Sequence, residues 1–307
     1  MADDVSQLPA GYRIDQMTRV EAGILDSWAA AEGWNPGLAD IDIAWSYDPA
    51  AFIALRKDQE FVGGGAIISY AGVAGFMGLF IMRADLRNQG LGRVLWHERL
   101  RRLRARLQPE APIGMDGVFN MAPFYAAGGF TYLYRDLRFQ GVAPGSTPGS
   151  TPGSTPIAAA DFGNAALIAL DQIPWPDLAA YDTKVSGLQR QAFVHAWLGQ
   201  AGGHGLAAVE DGAISGYGFL RHCRSGFKLA PLYANKPATA RQLLLGLLAM
   251  VPNNQVQIDV PEPNQAAVDL MAELGWHNPF GCARMVHGTP LSVPVAQVFG
   301  VTSFEFG

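Results

Sequence analysis

Cysteine is nearly absent: Cys223 and Cys282 are the only two in 307 residues. So few thiols argue against a disulfide framework and point to a reducing compartment. Charged residues are sparse at 16%, and a net charge of −5 leaves no basic excess to neutralise phosphates. Nucleic acid is therefore not an expected partner. No apolar run approaches a membrane span, so no membrane partner is expected either. Met1-Ala2-Asp3-Asp4-Val5 is acidic and lacks the charged-then-apolar order of a signal peptide, and a cytoplasmic location is the expectation. The six histidines are scattered without ligand spacing, so no metal is expected. Neither a Gly-x-Ser-x-Gly elbow nor a Walker loop occurs.

What is present is enough apolar material, 49% of the chain, to bury a full core. Residues 142–156 lie in a Pro-Gly-Ser-Thr repeat with almost nothing to bury, the composition of an exposed linker. It separates two halves, 1–141 and 157–307. Near the end of each half a helix-like stretch stops at a glycine followed by an aromatic, Gly129-Phe130 and Gly275-Trp276. An arginine then follows at the same distance in a strand-like run, Arg138 and Arg284. The parallel indicates a duplicated domain.

In the first half, helical patterning covers Arg19 to Glu32. Strand patterning covers Phe52 to Leu55 and Val62 to Tyr70, around a polar turn, then Phe76 to Met82 and Ile113 to Val118. From Leu91 an apolar stripe runs through Leu95, Leu100, Leu103 and Leu107. Arg99, Arg101, Arg102, Arg104 and Arg106 are read as its solvated opposite face. In the second half Asp211-Gly212 is a strong hairpin-turn pair, and Asn264 is placed to cap a helix. Strands alternating with helices make each half an α/β-type domain.

Between the strand ending at Met82 and the helix starting at Leu91 lies Arg87-Asn88-Gln89-Gly90-Leu91-Gly92-Arg93. A glycine turn feeding a helix exposes unpaired N–H groups and the positive end of the helix dipole, a setting for phosphate. A dinucleotide fingerprint would require glycine at Leu95. The pattern Arg87-x-x-Gly90-x-Gly92 instead resembles the pyrophosphate loop of the GNAT superfamily of acyl-CoA-dependent N-acyltransferases. The likeness extends to the following helix and strand and to Tyr125-Ala126-Ala127-Gly128-Gly129-Phe130, the family's Tyr-three residues-Gly-Phe ending. Gly33-Trp34-Asn35-Pro36-Gly37 and Gly216-Tyr217…Arg221 are similar to a tandem, YitH-like bacterial subgroup.

The resemblance implies an α/β (α+β) fold of two tandem GNAT-like domains, each a mixed, mostly antiparallel sheet flanked by helices. Domain 1–141 would bind acyl-CoA. Domain 157–307 lacks Gly-x-Gly and carries Pro237 instead, so it would be degenerate and complete the substrate cleft. Backbone groups of Phe80 and Met82 would pair with the pantetheine arm, and the loop Arg87, Asn88, Gln89, Gly90, Leu91, Gly92 and Arg93 would hold the pyrophosphate. Tyr125 would protonate the leaving thiolate. Asp116 and Glu21 are the candidate bases. Trp34, Asn35, Tyr181, Asp182, Arg190, Arg221 and Tyr233 are the candidate substrate-binding residues. The expected activity is transfer of acetyl from acetyl-CoA, a cosubstrate, to the amine of a small molecule such as an amino acid, by a monomer or homodimer. The alternative is a binding protein on the same fold that senses acyl-CoA without turning it over.

Overall fold

The computed structural model describes residues 8–145 and 165–307, so most of the expected linker lies outside the described residues. Two compact units emerge, and they cut across the sequence halves. Unit 1 takes the chain up to Leu133 together with Arg284–Pro290 and Phe304–Gly307; unit 2 takes Tyr134–Ala283 and Leu291–Ser303. Relative to the sequence halves, residues 134–141 fall in unit 2 while Arg284–Pro290 and Phe304–Gly307 fall in unit 1, an exchange of segments.

Unit 1 runs β1 (Tyr12–Gln16), α1 (Arg19–Ala31), α2 (Asp40–Tyr47), β2 (Phe52–Lys57), β3 (Glu60–Tyr70), β4 (Ala74–Met82), α3 (Leu91–Arg104), β5 (Ile113–Val118) and α4 (Ala122–Ala127). Thr18 starts α1 through a capping box with Glu21. β1 to β4 form an antiparallel meander, and α3 carries the chain over to β5, which is parallel to β4. The β4–β5 ladder holds only Gly75↔Ile113 and Phe76↔Gly114. Between β3 and β4 the register shifts: Gly64 faces Ile81 but Ala66 faces Gly78, so Leu79 and Phe80 together oppose Gly65. Leu79 sits at φ +50° in this bulge. On the other side of Gly78, where a β-carbon would strike the Glu305 carbonyl, the segment 304–307 packs down, and Tyr70 Oη donates to the Phe306 carbonyl at 2.5 Å.

The apolar stripe of α3 is as expected at Leu91, Leu95 and Leu103, all buried. Its arginines are not one solvated face. Arg99 is 0% exposed, because it stands four residues after Leu95 and four before Leu103, in line with the stripe. Arg101 and Arg102 both bind Glu98, and Arg102 Nη2 also donates to the Ile14 carbonyl of β1 at 2.8 Å. Those contacts, Arg101 first, hold the Glu98 carboxyl down to about 2 from its usual 4.5. A folded-state value below the unfolded one stabilises the fold above pH 4.5, and the gain is lost as pH falls toward 2. Glu98→Gln should therefore be less stable than the unsubstituted protein at pH 6, with the difference closing by about pH 2 in denaturant titrations.

Unit 2 contains the end of β6 (Thr131–Val142), then β7 (Ala166–Ala169), α5 (Trp175–Ser186), α6 (Gln191–Leu198), β8 (His204–Glu210), β9 (Ala213–His222), β10 (Phe227–Ala234), α7 (Pro237–Leu248), β11 (Gln255–Pro261), α8 (Gln265–Glu273), most of β12 (His277–His287) and β13 (Val298–Gly300). Its strands follow the order β6-β11-β10-β9-β8-β7, with β10 and β11 parallel across α7. That repeats the β4-α3-β5 arrangement of unit 1. Leu243, Leu244, Leu247 and Leu248 of α7 pack onto Leu229, Leu232, Val256 and Ile258. Asp211 and Gly212 take φ of 49° and 78° in the β8–β9 turn, and Asn264 accepts from the Ala267 amide to cap α8. Both cysteines are buried thiols without a disulfide.

The exchange is fastened by two matching ion pairs. Arg138 on β6, from the first half, grips Asp259 on β11 with both ends of its guanidinium, at 2.7 and 2.8 Å. Arg284 on β12, from the second half, grips Asp116 on β5 in the same way, at 2.7 and 2.8 Å. The two arginines that mark the repeat in the sequence thus each serve a strand from the opposite half.

Candidate functional site

β4 leaves the sheet through a short helical turn at Ala84–Leu86 and enters α3 through Asn88 and Gly90, at φ 62° and 81°. Gly90 is the N-cap of α3 and supplies no side-chain cap. Left-handed backbone at that point suits glycine, which carries no β-carbon to obstruct a ligand. The first amides of the helix, Leu91 and Gly92, have no carbonyl four residues back to bond. No acidic residue stands in the first turn, and exposed Arg93 has no acidic partner among the described residues. The other polar side chains brace the loop. Arg87 Nε donates to the Met82 carbonyl at 3.0 Å and its Nη2 to Glu32 at 2.5 Å, while Gln89 donates to the Asp85 carbonyl. What the loop presents outward is backbone N–H, helix dipole and one guanidinium, the components of an anion site.

Phe80 and Met82 lie just before this loop, beyond the end of the β4–β5 ladder. Their side chains reach back to it, since a β-carbon at Gly92 would touch Met82 Cγ at 3.3 Å and Phe80 Cζ at 3.5 Å. Tyr125 on α4 is 5% exposed. Its ring occupies the space left by Gly117 on β5 and packs near Trp96 and Phe124, at centroid distances of 6.2 and 5.4 Å.

The two carboxylates expected as bases have other posts. Glu21 closes the capping box and receives Arg56 at 2.7 and 2.5 Å. Burial works to raise its carboxyl, but Arg56, then the amide and hydroxyl of Thr18, hold it below its ordinary value. Asp116 is clamped by Arg284. Both expected bases are thus ion-paired to arginines, Glu21 to Arg56 and Asp116 to Arg284.

Of the expected substrate residues, Trp34 and Asn35 lie in the α1–α2 loop of unit 1, Asn35 at φ 50°. The others fall in unit 2, and three of them, Asp182, Arg190 and Tyr233, meet. Arg190 grips Asp182 at 2.9 and 3.1 Å and donates to Tyr233 Oη and Thr302 Oγ1. Tyr217 completes the cluster on Asp182 at 2.6 Å, and Tyr181 donates to the Ser215 carbonyl. The Asp182 and Arg190 side chains are only 2% and 1% exposed. These groups form a buried polar network. Arg221, also buried, stacks over Trp197 at 4.6 Å. Arginine and tyrosine are ambiguous in sequence, because the same side chains serve ligands and buried networks.

The start of α7, counterpart of α3, is built differently. Pro237 supplies no N–H, as its sequence implies, and Lys236 precedes it. Glu210, at the end of β8, bonds Thr239 Oγ1 in the first turn at 3.1 Å and Lys236 Nζ at 2.9 Å. The chain's own carboxylate sits where α3 has none. That contact was invisible in the sequence, because Glu210 is distant and forms part of an ordinary hairpin.

Comparison with known proteins agrees with this architecture. Residues 178–300 match the family model described as an acetyltransferase (GNAT) domain. The chain is 25% identical over 285 residues to a holothin acyltransferase from Pseudoalteromonas sp. (strain SANK 73390), covering 92% of this chain and 90% of that one. In fold it resembles a Pyrococcus horikoshii protein described as an acetyltransferase, with TM-score 0.77 at 20% identity over 98% of both chains. It also resembles a tandem GNAT protein from the clavulanic acid biosynthesis pathway, with TM-score 0.62 at 15% identity over 91% of this chain and 99% of that one. Residues 178–300 thus match a GNAT acetyltransferase domain, the fold of the chain is similar to that of GNAT structures including a tandem one, and nearly its whole length is similar in sequence to an acyltransferase.

Proposed function

We propose that unit 1 transfers an acyl group, acetyl foremost, from acyl-CoA to the amine of a small molecule, and that unit 2 is the non-binding member of a tandem, YitH-like pair. The observation that carries this reading is the contrast between the two helix starts. At α3 the glycine loop offers backbone amides and Arg93 with no internal anion, whereas at α7 a proline and Glu210 stand in that position. The amides of Asn88 to Arg93 would hold the pyrophosphate, and the backbone of Phe80 and Met82 would align the pantetheine arm.

The chemistry follows from that alignment. A neutral amine attacks the thioester carbonyl, the new C–N bond forms, and the C–S bond breaks with its electron pair passing to sulfur. Tyr125 gives its phenolic proton to that sulfur. The proton released by the acylated nitrogen passes to water and restores the phenol. With Glu21 and Asp116 both held by arginines, the amine enters deprotonated from solution rather than through a carboxylate base.

The test is binding followed by turnover. At about 100 times its Kd, acetyl-CoA should add about 2.7 kcal/mol of stability in a thermal-shift assay, and calorimetry should find one site per chain. CoA release is then measured across a panel of amino acids and other amines, including holothin, the substrate named for the relative. Binding without release from any amine would make the protein an acyl-CoA sensor. Two sites per chain would remove the assigned asymmetry.

A further inference from the structure

Along β4 the side chains change faces at the bulge. Ala66 and Gly78 are directly paired and so share a face, while Gly65 points to the opposite one, where a β-carbon would overlap the Arg99 guanidinium of α3. In a regular strand Phe80, two residues on, would share the face of Gly78. Instead its ring lies 5.1 Å from the Arg99 guanidinium carbon, and a β-carbon at Gly92 would touch it at 3.5 Å, so Phe80 has crossed to the α3 side. Met82 follows it, at 3.3 Å from the same point. The extra residue therefore decides which face of β4 meets the anion loop. Leu79 makes the crossing at φ +50°, a left-handed conformation that a leucine keeps only where its surroundings impose it.

Those surroundings close on Gly78, the last residue before the crossing. Arg99 Nη2 donates to the carbonyls of Gly78 at 2.7 Å and Ala66 at 2.6 Å. On the other face lies the segment 304–307, which belongs to the second half in sequence and to unit 1 in space. A β-carbon at Gly78 would stand 1.9 Å from the Glu305 carbonyl oxygen, so the backbone of the segment rests directly on the strand. Tyr70 Oη donates to the Phe306 carbonyl at 2.5 Å, and a β-carbon at Gly307 would meet the Phe76 ring at 2.8 Å. Tyr70 pairs with Ala74, so Tyr70, Phe76 and Gly78 are footholds on one face of β3 and β4. Phe304, Glu305 and Phe306 are all buried.

We propose that Phe304–Gly307 is a positioning strap for acyl transfer: by resting on Gly78 it holds the β4 bulge, and with it the face that the Phe80–Met82 backbone turns toward the pantetheine arm. The role rests on the acyl-transfer reading above. It gives the second half of the chain a part in holding the acyl donor.

The experiment compares two parts of the donor molecule. Phospho-ADP, the nucleotide half of CoA, meets the anion loop alone, whereas acetyl-CoA also needs the strand that takes the arm. Gly78→Ala drives a methyl into the Glu305 carbonyl and dislodges the strap. Tyr70→Phe keeps the ring and removes the hydrogen bond to Phe306. Calorimetry should find phospho-ADP binding within about twofold of the unsubstituted protein in both variants, because the loop lies outside the strap's contacts. For acetyl-CoA, kcat/KM should fall about 10²-fold in Gly78→Ala and about three- to tenfold in Tyr70→Phe. A merely structural role would lower Tm and weaken both ligands alike.

A further measurement needs no variant to fold. In the unsubstituted protein acetyl-CoA should slow amide hydrogen exchange in the peptides carrying 76–82 and 304–307 together, and phospho-ADP in neither. Protection of 76–82 without 304–307 overturns the proposal. So do equal losses for the two ligands, or acetyl-CoA turnover in Gly78→Ala within about twofold of the unsubstituted rate; these results sink this inference alone. Failure of the unsubstituted protein to bind either ligand removes the acyl-transfer reading, and this role with it.

Discussion

Arg138→Ala is expected to destabilise the protein by about 3–5 kcal/mol, a loss of roughly 10 °C in Tm. Arg138 and Asp259 are each 1% exposed, so the substitution strands a carboxylate in the interior of unit 2. Burial alone would raise the Asp259 carboxyl; Arg138 foremost, with Lys228 and Arg221, holds it below its ordinary value. Removing Arg138 eliminates the leading member of that group and the two hydrogen bonds that fix β6 against β11. The ion pair also joins a strand of the first half to one of the second, so its loss loosens the exchange itself. Replacing both partners, as in Arg138→Met with Asp259→Leu, should recover part of the lost stability: Asp259 is no longer stranded, but buried Lys228 and Arg221 lose the carboxylate that faces them. Denaturant melts of the single and double variants decide the matter. A single variant within 1 kcal/mol of the unsubstituted protein would show that the pair does not fasten the exchange.

These features were unevenly legible in the sequence. Local signals survived well. The strand Ile113 to Val118, the helix from Leu91, the Asp211-Gly212 turn and the Asn264 cap depend on neighbours a few residues away, and they form where expected. β1, α2, α5 and α6 were not foreseen, being short or only weakly patterned. The exchange of segments could not be read, because nothing near Arg138 or Arg284 says which aspartate each will meet. Arg99 was placed on the wrong face because its residue type was weighed above its position. Spacing from Leu95 and Leu103 is the better guide, and the glycine run Gly63 to Gly65 on the facing strand is the second half of the signal. The cluster around Asp182 and Arg190 shows the opposite confusion, in which residue types favoured by ligands build an interior network. At the candidate site, the left-handed glycine turn into α3 and the placement of Tyr125 on α4 were readable because both follow from local spacing. Glu210 at α7 was not, since its significance lies in where a hairpin ends in space.

Tyr125→Phe should lower kcat by about 10²–10⁴-fold while leaving the KM for acyl-CoA within about twofold. The split follows from where the hydroxyl acts. The ring fills the space beside Gly117 and packs on Phe124, and phenylalanine keeps both contacts, so folding and the α3 anion site are undisturbed. What is lost is a proton donor needed only as the C–S bond breaks. A group used only in the transition state lowers kcat and kcat/KM together, whereas a packing or binding role would appear in KM or in Tm. Two further consequences separate the acid role from a merely positional one. The basic limb of the pH profile, which reports loss of the phenolic proton, should vanish in the variant. An acyl donor whose thiol is more acidic should also suffer a smaller penalty, because its thiolate departs without help. Steady-state kinetics over pH 6 to 10 with the two donors measures both. If Tyr125→Phe tracks the unsubstituted enzyme across that range, sulfur takes its proton from elsewhere. Tyr125 would then be a core aromatic.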